Sequence, residues 1–189
     1  MAAAKRTSTA QYGVPGLGKK DAGLVIEILQ DRLNALNDLA LTLKHIHWNV
    51  VGPQFISVHT MLDPQVDSVR LMVDETAERI ATLGGSPSGT PGALVAARSW
   101  DDYSLGRDSA LAHLGALDVV YAGVIEAHRK AIAATEEADP VTQDMLIEQA
   151  GQLEQYQWFV RAHLEDPRGS LATSGAHTEQ QAAARARKK

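Results

Sequence analysis

Between Asp21 and Val50 the apolar residues Leu24, Val25, Ile28, Leu29, Leu36, Leu39, Leu43, Ile46 and Val50 recur three or four positions apart, with a single gap of seven. That spacing follows the 3.6-residue period of an α-helix and runs one apolar stripe along a 30-residue segment. Such a stripe is stable only when other elements cover it, so the rest of the chain must supply partners of matching length.

Three further segments do so. After the break at Gly52 and Pro53, a second helical pattern is predicted from about Ser57 to Leu83, stopped by Gly84 and Gly85. Residues 86–100, SPSGTPGALVAARSW, hold too much Gly, Pro and Ser for a long helix and read as a crossover in which Ala93 to Arg98 form a short one. Asp101 and Asp102 suit the start of a third long helix, with Leu111, Leu114, Leu117, Tyr121, Val124 and Ile125 on one face. Asp139 and Pro140 suit the start of a fourth, with Leu146, Leu153, Tyr156, Val160 and Leu164 turned inward. No segment sustains two-residue alternation, so the expected fold is all-α: a four-helix bundle with a short helix in the crossover between helices 2 and 3.

A chain of 189 residues, 44% of them hydrophobic, is about one domain. It has no cysteine, which excludes disulfides, zinc ribbons and thiol nucleophiles and leaves any metal site to His, Asp and Glu. Charge divides the chain in three. Residues 1–20 carry +4 through Lys5, Arg6, Lys19 and Lys20, and residues 167–189 carry +4 through Arg168, Arg185, Arg187, Lys188 and Lys189 against Glu179. The total of −5 leaves −13 for the bundle at 21–166. The last segment shows no apolar face, so a mobile basic tail is expected there. The first residues lack a signal peptide's apolar run and no segment is read as a bilayer span, so the expected location is cytoplasmic, away from membranes.

His47, His59, Asp63, Asp74 and Glu78 form the candidate metal set, imidazoles with carboxylates being ligands that suit iron and also accept zinc. His59 and Asp63 are four apart, as are Asp74 and Glu78, so each pair projects from one helical face. The 11 positions between Asp63 and Asp74 return the second pair to nearly the same face but carry it roughly 16 Å along the axis. One ion cannot join both pairs on one chain. Two antiparallel copies about a twofold axis would bring His59 and Asp63 of one against Asp74 and Glu78 of the other, giving two equivalent sites. Pro64 either kinks the second helix or begins it. Acids four apart also serve as an ordinary solvated face, and His45, His113, His128 and His163 suit hydrogen-bonded core positions. His45, two residues from His47, points to the other side of its helix.

These residues lie in LKHIHWNVVGPQFISVHTMLDPQVDSVRLMVDETAERIATLGG, where successive candidate ligands are 12, 4, 11 and 4 apart. The stretch, with the HWN element, the glycine, phenylalanine, histidine and aspartate at 52, 55, 59 and 63, and DETAERI, closely resembles the Dps family, the DNA-binding proteins from starved cells. Gln157, Trp158 and Phe159 resemble that family's fourth-helix signature, extending the likeness over about residues 15 to 166. The resemblance implies a ferritin-like bundle assembling into a hollow homododecamer with twofold and threefold interfaces. It implies that His47, His59 and Asp63 of one subunit and Asp74 and Glu78 of its neighbour bind two Fe²⁺ as a ferroxidase, with hydrogen peroxide or dioxygen as oxidant and ferric oxide stored inside. Trp48 beside the site would take up stray oxidising equivalents. Asp139, Asp144 and Glu148 are similar to the family's threefold pore carboxylates and would draw Fe²⁺ inward by their negative field.

The basic ends, Lys5 and Arg6 at one and Arg185, Arg187, Lys188 and Lys189 at the other, suit sequence-independent contact with DNA phosphates, multiplied by the copies on a shell. Such contact would associate the protein with the nucleoid and offers a competing reading as a non-enzymatic DNA-compacting shell. A larger ferritin, with its di-iron centre inside one bundle on Glu-x-x-His motifs, is disfavoured because the chain contains no such motif.

Overall fold

The computed structural model describes residues 12–189 and, among them, six helices and two very short strands. Helix α1 spans Lys19–Asn49, β1 Val50–Val51, α2 Phe55–Thr82, α3 Pro91–Ala97, β2 Asp108–Ser109, α4 Ala110–Thr135, α5 Pro140–Leu164 and α6 Glu179–Ala186. The four long helices are those that periodicity predicts, and α3 is the short crossover helix. Leu33, almost fully buried, fills the gap of seven between Leu29 and Leu36 on α1. Ile26 is buried where Leu24, 48% exposed, was expected to be.

Helix α1 ends where Val50 turns extended and, with Val51, pairs in parallel with Asp108 and Ser109. This pairing explains why the third long helix does not begin at Asp101 and Asp102. The backbone is held extended at Asp108–Ser109, and α4 starts after Ser109, whose hydroxyl accepts from the Ala112 N–H at 3.3 Å. Arg98 bridges Asp38 and Asp102, and the Trp100 indole N–H donates to Asp38 at 2.8 Å, so this stretch ties the crossover to α1. Pro64 lies inside α2, so it does not start the helix. It leaves the Thr60 carbonyl without its helical donor. The glycine stop of α2 is a Schellman end: Gly84, at φ 87°, sends its N–H to Ala81 and Gly85 sends its own to Ile80.

Among the described residues two apolar clusters lie between the long helices, and a third, of Leu105, Ala112, Ala116 and Ala183, lies between α4 and α6. The first joins Leu36, Leu39, Leu43 and Ile46 to Val58, Leu62, Val66, Leu114, Leu117, Tyr121, Leu153 and Val160. The second, toward the opposite end, joins Val25, Leu29 and Leu33 to Ile80, Leu83, Ala131 and Leu146. Each fully buried Leu or Val stabilises the fold by about 1.5–3 kcal/mol relative to leaving it in water. Against the sequence expectation, α4 does have the length and apolar content of a membrane span. Its Leu114, Leu117, Tyr121 and Ile125 are core residues here.

Residues beyond 167 were expected to have no face to bury, yet Ala182, Ala183 and Ala186 of α6 are completely buried. The spacing of 182, 183 and 186 makes a narrow stripe of small residues that large-side-chain periodicity does not register.

His128 on α4 is wholly buried, with Nε2 3.2 Å from the Gln149 amide oxygen and Nδ1 without a partner among the described residues. Burial pushes its pKa down to about 4, with the Arg32 charge adding to the effect and the Gln149 hydrogen bond opposing it. The unfolded imidazole, near 6.5, takes up its proton first, so stability is present above that value and falls as pH drops toward the folded one. Between pH 7 and pH 5 this histidine is expected to remove about 2 kcal/mol of stability. Urea unfolding of wild type and His128→Gln at both pH values measures it; an equal pH dependence in the two proteins would overturn the assignment.

Candidate metal centre

The last turn of α1 and the first turns of α2 meet at His47, His59 and Asp63. One ring nitrogen of each imidazole and a carboxylate oxygen of Asp63 lie within 4.8 Å of one another. The imidazoles are stacked, centroids 3.6 Å apart and planes inclined by 24°. They are oriented reciprocally: His47 Nδ1 is 3.0 Å from the His59 carbonyl oxygen, and His59 Nδ1 is 2.9 Å from that of His47. A carbonyl oxygen only accepts, so each Nδ1 carries a hydrogen, which in the neutral ring leaves Nε2 as the atom with the free lone pair. A backbone-held Nδ1–H is the arrangement that orients a metal-binding histidine.

Asp63 Oδ1 lies 3.2 Å from His47 Nδ1 and accepts from Lys44 Nζ at 2.9 Å. The Lys44 hydrogen bond, opposed by desolvation and helped by the charges of His47, Lys44 and His59, holds this carboxyl below its usual range. Lys44 was not anticipated. It stands three residues before His47 on the same face of α1, and its partner Asp63 comes from α2. The Phe55 ring, 4.9 Å from that of His59, flanks the pair. Two imidazoles and an ionised carboxylate fit a divalent transition metal and fall short of a full coordination shell.

Asp74 and Glu78 lie farther along α2, both exposed. Because α2 is continuous, the roughly 16 Å axial separation from Asp63 applies, and the cluster of three does not include them. Trp48, next to His47, is 71% exposed and so is no core residue. His45 points elsewhere, its Nε2 2.8 Å from the Leu105 carbonyl oxygen. His113 and His128 are buried and hydrogen-bonded as expected, whereas His163 is exposed.

The acids assigned to a pore separate. Asp144 and Glu148 are exposed on α5, but Asp139 is 5% exposed and accepts from Arg79 at 2.6 Å and Thr142 at 2.5 Å. It fastens the start of α5 to α2. Of the basic residues, Lys5 and Arg6 lie outside the described residues. Arg187 pairs with Asp108, Arg185 donates to the Ser174 carbonyl, Lys189 donates to the carbonyls of His163 and Glu165, and Lys188 is exposed.

The family model of the ferritin-like domain matches residues 26–169. A protein of Mycolicibacterium smegmatis named DNA protection during starvation protein is 59% identical over 178 residues, covering 94% of this chain and 97% of the relative. A protein of Haemophilus ducreyi named fine tangled pili major subunit is 51% identical over 162 residues, covering 86% of each. The solved structure of DpsA14 from Streptomyces coelicolor superposes with a TM-score of 0.86 at 62% identity, covering 88% of this chain and 99% of that one. A bundle with a short crossover helix, a histidine pair set between α1 and α2, and identity at this level along nearly the whole chain have one reading: the chain belongs to the Dps family within the ferritin-like fold.

Proposed function

We propose that this protein oxidises and stores iron, with Fe²⁺ as substrate at sites shared between two copies of the chain. His47, His59 and Asp63 of one subunit bind the metal, and Asp74 and Glu78 of a twofold-related subunit complete the ligand set. The reaction balances when two Fe²⁺ each give one electron and hydrogen peroxide with two protons becomes two waters. Taking both electrons to one peroxide avoids the hydroxyl radical that a single-electron step would release. Dioxygen is the alternative oxidant, and zinc would occupy the same ligands without turnover.

The protein's own contribution is orientation and charge. The reciprocal Nδ1 contacts fix both imidazoles, Asp63 stays ionised, and Trp48 at the rim offers an oxidisable ring for stray equivalents. A homododecameric shell, with Asp144 and Glu148 lining threefold openings and Asp139 bracing them from behind, would admit Fe²⁺ and retain ferric oxide. The family's name and the basic ends support sequence-independent protection of DNA in the cytoplasm, with nucleoid association.

The observation that carries this reading is the three-ligand half-site with both histidines pre-oriented. Its test is anaerobic loading with Fe²⁺ and a stoichiometric pulse of hydrogen peroxide, following ferric absorbance and trapping hydroxyl radical. Wild type should oxidise iron quickly with little radical, and His59→Ala should fall to the buffer rate. Wild-type oxidation no faster than buffer would sink the enzymatic reading.

A further inference from the structure

Helix α6 is seated on α4 at a place made for it. A Cβ at Gly115 would lie 2.8 Å from the Ala182 carbonyl oxygen and 2.9 Å from the Ala186 methyl, so only glycine admits the helix this closely. Thr178 caps α6, accepting from the Gln181 N–H at 3.2 Å, and Glu179 accepts from the Ser104 N–H and hydroxyl at 2.7 and 2.6 Å. The seated helix directs its cations onto the body: Arg187 to the Asp108 carboxylate, Arg185 to the Ser174 carbonyl, and Lys189 to the His163 and Glu165 carbonyls at 2.9 and 2.6 Å. Lys189 thereby meets carbonyls at the C-terminal end of α5, where the helix dipole favours a positive charge.

We propose that α6 is a latch, and that duplex DNA engages the C-terminal cations only after α6 leaves α4. This rests on the DNA-binding part of the function proposed above. In the seated state Arg187 is neutralised by Asp108, and an approaching duplex also meets the acidic body of −13. Once released, Arg185, Arg187, Lys188 and Lys189 can all reach phosphates on a flexible arm. The apparent affinity is then the released arm's affinity scaled down by the fraction of tails released.

Two single substitutions in the full-length protein release the latch by different physics. Gly115→Leu fills the space that α6 occupies, and Asp108→Asn removes the charge that holds Arg187. Release is read by trypsin cleavage after Arg185 and Arg187, and DNA binding by anisotropy of a short labelled duplex over a range of salt. Both variants should be cleaved faster than wild type, bind about tenfold tighter, and show a steeper salt dependence. Replacing all four cations by Gln in the Gly115→Leu background should abolish the gain. Faster cleavage with unchanged affinity, while replacing the four cations weakens wild type, would overturn the latch and leave the DNA reading standing. Absence of binding by every form at low salt would overturn the DNA reading and the latch together.

Discussion

Assemblies that mix His47→Ala and Asp74→Ala chains are expected to oxidise iron at about a quarter of the wild-type rate, although neither variant alone exceeds the buffer rate. The figure follows from the twofold arrangement. In a mixed pair, one site receives both lesions, and the other takes its histidines from the Asp74→Ala chain and its distal carboxylates from the His47→Ala chain. That second site is intact. Random pairing makes about half of all pairs mixed, each with one good site in two. Co-expression with two different affinity tags isolates assemblies containing both chains, and the peroxide-pulse assay reads them. A site contained in one chain predicts no rescue, because every chain would carry a lesion in its own site. Buffer-rate oxidation by verified mixed assemblies would therefore sink the shared site while leaving open an iron site of another composition.

The need for two chains is legible in the sequence because it follows from helix geometry alone. Four candidate ligands on one stripe, in two pairs roughly 16 Å apart, cannot meet on a single straight helix, whichever way Pro64 acts. The structure adds what spacing cannot carry: the stacking of His47 on His59 and the exchange of Nδ1 hydrogens with each other's carbonyls, which depend on how α1 turns into α2 through Val50, Val51 and Gly52. Lys44 escaped notice because a lysine three residues from a histidine carries no signal until its partner across the helix pair is known.

The long helices were legible because their buried faces use Leu, Ile and Val. Where long-range contacts decide, local reading failed. The aspartates at 101 and 102 resemble a helix start, but the strand pairing at Asp108–Ser109 delays α4 by about two turns. Helix α6 was hidden because its buried face is alanine, and alanine stripes mean little until the facing groove, here opened by Gly115, is in view. In the sequence Asp139 shows only its place at a helix start, where the dipole favours an acid, and its likeness to a pore carboxylate. Its burial and its pairing with Arg79 depend on a residue 60 positions away.

That pairing carries the second large effect. Arg79→Leu is expected to destabilise the protein by about 3 kcal/mol at neutral pH, because it strands the Asp139 carboxylate in a site only 5% exposed. Burial alone would push the Asp139 carboxyl up, but hydrogen bonds from Thr142 and Arg79, with the Arg79 charge, outweigh it and hold the carboxyl below its usual range. In wild type the group therefore contributes stability above the unfolded value near 3.8, and this contribution is lost as pH falls through the lower folded one. Without the guanidinium two of the influences that lower it are gone, so the folded carboxyl of the variant takes up its proton at a higher pH than that of wild type. The folded variant is thus protonated before folded wild type as pH falls, so its deficit relative to wild type should be largest at neutral pH and shrink toward pH 4. Arg79→Leu combined with Asp139→Asn should recover part of the loss, since a neutral amide in the same place needs no counter-charge. Urea unfolding of the three proteins at pH 7 and pH 4.5, at one fixed protein concentration because assembly shifts apparent stability, measures each of these. A deficit below about 1 kcal/mol, or one independent of pH, would mean that the ion pair does not hold α2 to α5 and that Asp139 is as free to face a pore as Asp144 and Glu148.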